Sequence, residues 1–433
     1  MKISAPRGTF DILPEEALRW RWLEAAIRRV FDYYGYQEIR TPVFEHTELF
    51  QRGIGETTDI VEKEMYTFND KGGRSLTLRP EGTAPVVRSY VEHKLYSKGG
   101  ITKLFYMGPM FRQERPQAGR FRQFHQFGVE LLGTESPLTD AEVITVAVEL
   151  YKELGLTDLE VLVNSIGCPA CRKKYQEDLF SRLSSLQELC ESCLRRLEKN
   201  PMRILDCKNP RCRELTKDVP AVTDYLCPAC RDHLEKTLSF LDKAGIDYRL
   251  EPRLVRGFDY YTRTVFEVIN AGLGAQNAVC GGGRYDHLVE EIGGPPMPGV
   301  GFASGMERLI LTLEQQGKFA GFSSAPQVAF AVLDETLAAD GFALATRLRR
   351  EGLTVEACLE VKSLKAQMRA AGKLQAKFVV ILGEDEWKDG QVSVRRMADG
   401  EQWRVDREEV CRFIKDLLDR DSSGREQERG SFS

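Results

Sequence analysis

Hydrophobic positions in the first part of the chain alternate between a helical spacing and short extended runs. An amphipathic run begins at Pro14 and passes through Trp22 and Val30, which predicts a helix that Gly35 ends. Strand-like runs follow at residues 37–44 (interrupted by Pro42), 75–78, 104–107 and 126–132. Because these strands and helices do not alternate regularly, the pattern predicts an α+β domain with a mainly antiparallel sheet.

The pattern changes in the middle of the chain, where charged helical segments are punctuated by cysteine pairs from residue 168 to about residue 251. Strand character resumes at residues 264–269 and near Ala278, and a helical run covers residues 304–316. The simplest organisation is one domain of residues 1–322, into which a helical, cysteine-rich module of about residues 168–251 is inserted.

A second domain is predicted after a linker of Ser, Ala and Pro at residues 323–326. Apolar strand candidates alternate with helical runs in the order 327–333, 338–350, 354–358, 363–374 and 378–382. This alternation predicts a small α/β domain at residues 327–420 with a partly parallel sheet. The polar residues 421–433 are expected to form a disordered tail.

Composition limits the function classes. The 433 residues have a formal net charge of −4, so any contact with nucleic acid must come from local basic patches. No run approaches the roughly 18 apolar residues that span a bilayer, and the first residues lack the apolar core of a signal peptide. We therefore expect a cytoplasmic protein without membrane association, in which the 11 cysteines are metal ligands or small buried side chains.

Two segments suggest phosphate chemistry. The first, FRQE at residues 111–114, is followed by Arg120 and Arg122 and predicts two strands joined by an arginine-rich loop. Guanidinium groups bind phosphate oxygens in a bidentate manner, although a solvated basic hairpin explains this segment alone equally well. The second, at residues 299–309, has glycines that allow a strand and a helix to approach closely. It matches neither the phosphate loop nor the G-x-G-x-x-G pattern, so neither common nucleotide-binding fold is supported.

Taken together, these segments resemble class II aminoacyl-tRNA synthetases, whose three signature motifs occur in this order. Residues 35–44 are similar to motif 1, residues 111–114 to motif 2 and residues 301–308 to motif 3. The resemblance implies a homodimer interface at motif 1. It also implies ATP binding by Arg112 at the α-phosphate, by Arg308 at the γ-phosphate and by Glu114, with magnesium bridging phosphate oxygens.

Two further segments resemble histidyl-tRNA synthetases in particular: LVRGFDYYTRT at residues 254–264 and GGGRYD at residues 281–286. Membership in this family implies an ATP- and Mg-dependent ligase. It would convert L-histidine to histidyl-adenylate with release of pyrophosphate, then transfer it to the 3′ end of tRNA(His), giving AMP. By the same resemblance Arg256 is catalytic together with Arg112, and contacts ATP near the α-phosphate.

The histidine-binding residues are also implied by the resemblance. Gln126 and Glu130 lie four apart on a predicted strand and should therefore face the same side. Glu81, Thr83 and Gln126 are expected mainly at the substrate ammonium, and Glu130 with Tyr261 at the ring; Gly82 and Tyr260 complete the set. The alternatives are surface positions for Glu81 and Glu130, and strand aromatics packing on opposite faces for Tyr260 and Tyr261.

Eight cysteines form four pairs between residues 168 and 230. Two pairs share the sequence Cys-Pro-Ala-Cys, which is similar to the knuckles that wrap tetrahedral zinc. Reduced, metal-free thiols are the alternative. If there is one structural zinc site, we expect its ligands to be Cys168, Cys171, Cys227 and Cys230.

Two other functions remain open. A catalytically silent, synthetase-like regulatory subunit of histidine biosynthesis would lack the anticodon-binding domain and lose signature residues, whereas this chain keeps the arginines and continues beyond residue 323. A class II synthetase for another amino acid is disfavoured by residues 256–264. The C-terminal domain corresponds to the family's anticodon-binding domain, where basic residues could contact RNA phosphates: Lys362, Lys365, Lys373 and Lys377.

Overall fold

The structure, a computed structural model, describes residues 3–55, 58, 60–114, 120–186, 188–270, 278–320 and 322–430, the last ten of these by backbone only. The chain divides into two compact units, Met1–Phe322 and Ser323–Ser433. Among the described residues, no helix has both the length and the apolar character needed to cross a membrane.

The first unit contains a mixture of helices and strands. Its helices are α1 (Pro14–Tyr33), α2 (Thr47–Ile54), α3 (Thr83–Glu92), α4 (Pro137–Glu153), α5 (Pro169–Leu183), α6 (Glu191–Lys199), α7 (Pro210–Leu215), α8 (Pro228–Ala244), α9 (Leu288–Glu291) and α10 (Met306–Gln315). Its strands are β1 (Gln37–Glu38), β2 (Phe44–His46), β3 (Tyr66–Asn69), β4 (Ser75–Leu78), β5 (Thr102–Phe111), β6 (Gln123–Leu132), β7 (Leu159–Ser165), β8 (Arg249–Leu250), β9 (Thr262–Asn270), β10 (Ala278–Arg284) and β11 (Gly299–Gly305). Short helical turns lie at Ile60–Glu64, Leu95–Lys98, Pro201–Asp206 and Val222–Tyr225.

Helix α1 forms where its sequence predicts it. Pro14 occupies the first turn, where a missing N–H costs nothing, and Glu15 and Glu16 complement the positive end of the helix. The chain leaves the helix at Gly35, whose φ of 75° favours glycine. Phe31 on the inner face is fully buried, and burying such a side chain contributes roughly 1.5–3 kcal/mol.

A large sheet organises this unit. Within the described residues its strand order is β1-β5-β6-β11-β10-β9-β7-β8, with parallel pairs only at the two edges. Alternate side chains of β6, including Phe127 and Val129, enter a core with residues of α1, α4 and α10. Because strand side chains alternate, Gln126 and Glu130 lie on the opposite face, which carries the cavity described below. The expected mainly antiparallel α+β fold is confirmed.

The prediction of one strand at residues 37–44 is wrong. The structure forms β1 at Gln37–Glu38 and β2 at Phe44–His46, and the two belong to different sheets. Pro42 lies between them and has no N–H to donate, which prevents continuous pairing. Strand β2 instead pairs with β4 in a small sheet of order β2-β4-β3.

A buried ion pair joins three elements of the first unit. Arg284 on β10 and Asp140 on α4 are both fully buried, and Nε of Arg284 lies 3.2 and 3.1 Å from the two carboxylate oxygens. His233 on α8 places Nε2 3.2 Å from the same Asp140. Asp286 adds a second carboxylate 3.0 Å from Nη1 of Arg284. The network therefore ties the last helix of the cysteine-rich segment to the sheet.

The second unit is a five-stranded sheet with helices. Its helices are α11 (Ala338–Arg350), α12 (Leu364–Lys373), α13 (Glu384–Lys388) and α14 (Val410–Gly430), and its strands are β12 (Val328–Val332), β13 (Val355–Glu356), β14 (Phe378–Leu382), β15 (Gln391–Arg396) and β16 (Gln402–Asp406). The order is β13-β12-β14-β15-β16, parallel among the first three and antiparallel thereafter. The partly parallel sheet is confirmed. The disorder expected at residues 421–433 stays a prediction: α14 continues to Gly430, and residues 431–433 lie outside the described residues.

Candidate active site

A cavity of about 500 Å³ opens over the polar face of the large sheet. Nine of the residues expected in the site line it: Glu81, Thr83, Arg112, Glu114, Gln126, Arg256, Tyr260, Tyr261 and Arg308. The two remaining expected residues, Gly82 and Glu130, are not in the lining. Residues from segments far apart in sequence therefore meet at one place.

Arg112 follows the end of β5 at one side of the cavity. Its Nε donates to the carbonyl of Pro80 at 2.9 Å, and its guanidinium lies 5.2 Å from the ring centroid of Phe124. Glu114 lies 3.7 Å from Arg112 and 3.2 Å from Arg120, between the two cations. The hairpin of β5 and β6 is thus not simply a solvated basic surface, since Arg112 and Arg120 both line the cavity.

Arg256 and Arg308 approach the cavity from other elements. Nη1 of Arg256 is 3.0 Å from a carboxylate oxygen of Glu267 on β9. Its guanidinium lies directly over Gly281, where an added Cβ would be 2.0 Å from Nη2. Arg308, in the first turn of α10, donates from Nη1 to the carbonyl of Ala278 at 2.9 Å. The glycine in β10 therefore leaves the space that Arg256 occupies.

Glu81 provides a buried carboxylate at the start of α3. It is 3% exposed and accepts backbone N–H bonds from Thr83 at 2.7 Å and Ala84 at 2.8 Å. Burial raises the pKa of Glu81, whereas these N–H bonds act in the opposite direction. Between Glu81 and Thr83, the backbone of Gly82 passes close to the ring of Tyr106. A Cβ added to Gly82 would lie 2.1 Å from that ring. Gly82 thus shapes the chain around Glu81 and does not line the cavity itself.

Glu130 lies behind the cavity wall. Its side chain accepts a hydrogen bond from Oγ1 of Thr83 at 2.7 Å and another from the hydroxyl of Tyr285. Thr83 and Tyr285 both line the cavity. Burial raises the pKa of Glu130 to about 8, a shift that the hydrogen bonds from Tyr285 and Thr83 reduce and the nearby Glu81 increases. Neither Glu81 nor Glu130 is a surface carboxylate.

Tyr260 and Tyr261 lie just before β9 and both face the cavity, so they are not strand residues packing on opposite faces. Their ring centroids are 4.6 Å apart, and Tyr260 lies 5.8 Å from Tyr285 at a steep angle. Arg172 of α5 donates to the carbonyl of Tyr261 at 2.5 Å and to that of Asp259 at 3.1 Å. A residue of the cysteine-rich segment therefore positions the backbone that carries Tyr260 and Tyr261.

The sequence interpretation missed several cavity residues. Glu267 pairs with Arg256, and Tyr285 bonds to Glu130, yet neither had been assigned a role. The available signal for Glu267 was a single carboxylate within the otherwise apolar run at residues 265–269 of strand β9. Arg203, Asp206 and Lys208 of the inserted segment also line the cavity. Nothing in their local pattern indicated this, because the contact depends on how the insertion folds back.

The eight cysteines of the insertion separate into two groups of four. Cys168, Cys171, Cys227 and Cys230 form the first group, with all four sulfur atoms within 4.8 Å of one another. Sγ of Cys168 and Sγ of Cys171 are 3.6 Å apart, and the N–H of Cys227 points to Sγ of Cys171 at 3.1 Å. The first cysteine of each pair precedes α5 or α8, so the two Cys-Pro-Ala-Cys sequences form matching helix starts.

Glu130 gives a testable dependence of stability on pH. Its pKa of about 8 exceeds the usual 4.5, so between these values the folded chain keeps a proton that the unfolded chain loses. The contribution to folding is complete below about pH 4.5 and is lost as pH rises towards about 8, at up to about 1.4 kcal/mol per pH unit. In the Glu130→Gln variant, the free energy of unfolding is therefore expected to fall less steeply as pH rises. Urea titration at several pH values, in the absence of ligands, measures this.

The control for that experiment is Glu149→Gln, which removes a half-exposed carboxylate paired with Lys152. It should leave the pH dependence of the parent protein unchanged. Identical slopes for the parent protein and the Glu130→Gln variant would contradict the raised pKa.

A mainly antiparallel sheet places the hairpin at residues 111–114 beside the strand and helix at residues 301–308, through the pairing of β6 with β11. Three arginines and two buried carboxylates thus meet at one cavity, as the resemblance to class II aminoacyl-tRNA synthetases implies. A family model for histidyl-tRNA synthetase matches residues 8–309, and one for an anticodon binding domain matches residues 327–417. The chain belongs to the histidyl-tRNA synthetase family.

Individual proteins agree with this assignment. The histidine–tRNA ligase of Caldanaerobacter subterraneus subsp. tengcongensis is 52% identical over 416 residues, covering 96% of this chain and 100% of that protein. That of Halothermothrix orenii is 54% identical over 406 residues, covering 94% and 97%. The crystal structure of apo S. aureus histidyl-tRNA synthetase is similar with a TM-score of 0.81 at 38% identity, covering 96% of this chain and 100% of that one.

Proposed function

We propose that this chain is a histidine–tRNA ligase that activates L-histidine with ATP and transfers it to the 3′ end of tRNA(His). The observation that carries the proposal is the meeting of Arg112, Arg256 and Arg308 in one cavity with the buried carboxylate of Glu81. The guanidinium groups suit a triphosphate, and the buried carboxylate with the tyrosine rings suits an amino acid with a basic ring.

ATP would occupy the arginine-lined part of the cavity. Arg112 and Arg256 would contact the α-phosphate, Arg308 the γ-phosphate, and Glu114 would complete the ATP site. Magnesium takes few protein ligands, commonly one or two carboxylates together with substrate phosphates. Glu114 and Glu267 both line the cavity and fit that donor set. Bound magnesium would neutralise phosphate charge and assist the departure of pyrophosphate.

Histidine would bind beside the buried carboxylate of Glu81. Glu81, with Thr83 and Gln126, would hold the ammonium, while Gly82 keeps the backbone close to Tyr106. Glu130, Tyr260 and Tyr261 would contact or polarise the imidazole end. An analogue without two ring nitrogens would leave buried polar groups unpaired, which is an effective basis for rejection.

The reaction follows from this arrangement. An oxygen of the histidine carboxylate forms a bond to the α-phosphorus while the bond to pyrophosphate breaks, giving histidyl-adenylate. Because a carboxylate is already nucleophilic, the protein needs to position it and stabilise the developing charge, which is the role proposed for Arg112 and Arg256. A terminal ribose hydroxyl of tRNA then attacks the activated carbonyl, and AMP leaves.

The domains would share this work. We propose that residues 1–322 form the catalytic domain, with the helical insertion at about residues 168–251, and that residues 327–420 bind the anticodon end of the tRNA. The exposed residues Lys362, Lys365, Lys373 and Lys377 are candidates for phosphate contacts there. A homodimer formed through residues 35–44, which the family resemblance implies, and a cytoplasmic location complete the proposal.

The test is exchange of labelled pyrophosphate into ATP, with each amino acid supplied in turn. We expect exchange with histidine alone, because only the reversible formation of an adenylate returns label to ATP. Charging of tRNA(His) transcripts would then establish the second step. Folded protein that binds histidine without any exchange would support the regulatory subunit, and exchange with another amino acid would support a different class II synthetase.

The first cysteine group is proposed to bind a structural zinc ion. Its four sulfur atoms fit tetrahedral thiolate coordination, and it lies at the start of α5, whose Arg172 holds the wall at Tyr261. Metal analysis of purified protein is expected to give at least about one zinc per chain. A Cys168→Ser/Cys227→Ser variant should lose about one equivalent. Less than about a tenth of an equivalent in the parent protein would indicate free thiols instead.

A further inference from the structure

The second cysteine group lies in a separate part of the insertion. Cys190 and Cys193 flank the start of α6, Cys207 follows the turn at Pro201–Asp206, and Cys212 lies in α7. All four sulfur atoms lie within 4.8 Å of one another, and those of Cys190 and Cys207 are 3.9 Å apart. A tetrahedral zinc with Zn–S bonds of about 2.3 Å requires sulfur–sulfur distances of roughly 3.8 Å.

The surroundings of these sulfur atoms suit thiolate ligands. The backbone N–H of Cys190 points to Sγ of Cys212 at 3.2 Å, and that of Asn209 points to Sγ of Cys207 at 3.5 Å. Such N–H groups stabilise the negative charge of sulfur ligands and orient them towards a metal. All four cysteines are free thiols, and three of them are buried among apolar side chains. Four converging sulfur atoms in an apolar setting are typical of a closed structural site.

We propose that Cys190, Cys193, Cys207 and Cys212 form a second thiolate site that binds zinc independently of the first group. The two groups share no ligand, and they lie on different helices. The second site would add metal bonds to the apolar packing that residues 190–216 already share with the rest of the first unit. Its occupancy does not depend on the reaction proposed above.

The site is connected to one wall of the active-site cavity. Cys207 lies between Asp206 and Lys208, which both line the cavity. On the other side, Thr216 at the end of α7 donates from Oγ1 to the carbonyl of Cys212 at 2.8 Å. The carbonyl of Thr216 accepts from Nη1 of Arg253, another cavity residue, at 2.6 Å. Zinc at the second site would therefore fix residues 203–208 and the start of the chain segment that carries Arg256.

The first experiment counts metal on the intact protein. A mercurial reagent is titrated into the purified full-length chain, and released zinc is measured with a chromophoric chelator. We expect about two zinc ions per chain, each released as about four thiols react. A Cys190→Ser/Cys207→Ser variant should hold about one, and Cys358→Ser, outside both groups, should hold about two.

Several results would overturn the proposal. These are a parent chain without zinc, the same zinc count in the Cys190→Ser/Cys207→Ser variant as in the parent chain, or iron in place of zinc. Since the parent protein is titrated while folded, an unstable variant does not weaken the test. A normal zinc count without pyrophosphate exchange would reject the proposed reaction alone. Exchange with a single zinc that the Cys190→Ser/Cys207→Ser variant retains would reject the second site alone.

Hydrogen exchange tests the link to the cavity wall. In the Cys190→Ser/Cys207→Ser variant, amides of residues 201–216 should exchange at least about tenfold faster, while those of β9 keep their parent rates. Unchanged exchange at residues 201–216 in a variant that has lost one zinc would show that the metal does not hold this wall.

Discussion

Replacing Arg256 with alanine is expected to lower histidine-dependent pyrophosphate exchange by at least about 10²–10³-fold. The guanidinium lies in the cavity wall against Glu267, and the proposed mechanism places the developing charge of the α-phosphate beside it. A cation prearranged at such a position stabilises the transition state more than the bound substrates, so the loss should appear mainly in kcat. The measurement is steady-state exchange at saturating ATP and histidine, with circular dichroism to verify the fold.

Arg249→Ala is the matched control, because this arginine is half-exposed and pairs with Glu160 and Glu251 away from the cavity lining. Gly281→Ala provides a second approach, since its new Cβ would occupy the position of the Arg256 guanidinium and displace it without removing its charge. Exchange within about twofold of the parent rate in Arg256→Ala would remove this residue from the proposed mechanism.

Replacing Asp140 with asparagine is expected to cost about 3 kcal/mol or more of unfolding free energy. The substitution keeps the shape of the side chain but leaves Arg284, which is fully buried, with Asp286 as its remaining carboxylate partner. It also weakens the contact with His233 of α8. Equilibrium unfolding in urea measures the effect.

Asp232→Asn serves as the control, because Asp232 is exposed on α8 and pairs only across the helix surface with Lys236. Its loss should change stability by no more than about 0.5 kcal/mol. An Asp140→Leu/Arg284→Met variant should be less destabilised than Asp140→Asn, since it leaves no buried charge unpaired. Equal stabilities for Asp140→Asn and Asp232→Asn would contradict the importance of this network.

The sequence predicts well those elements whose local pattern of apolar residues and helix-ending residues is enough to specify them. Helix α1, with Pro14 at its start and Gly35 beyond its end, and the buried strand β14 both lie where expected. Strands β15 and β16 were missed although both alternate, since polar residues separate Val392 from Val394 and Trp403 from Val405. The break near Pro42 arises because β1 and β2 join different sheets, which depends on tertiary contacts and not on the local pattern.

The candidate site shows the same division. The arginine-rich hairpin alone fitted a solvated surface equally well, and only the resemblance to a family gave roles to Arg112 and Arg256. The depth of Glu130 behind Thr83 and Tyr285 could not be predicted, because strand alternation specifies the face of a residue and not what covers it. Likewise, the cysteine spacings indicated metal ligands, whereas their division into two groups depends on how α6, α7 and the intervening turn fold.

Strand β10 also has a consequence for inherited variation. Any single-nucleotide missense change at a glycine codon adds at least one carbon atom to the side chain. The surroundings of that added atom differ between neighbouring glycines of this strand. At Gly281 the new atom meets the movable end of Arg256, whereas at Gly282 it would lie 2.2 Å from the backbone oxygen of Gly301. Variants at the first codon should therefore yield folded but inactive protein. Variants at the second should yield little folded protein.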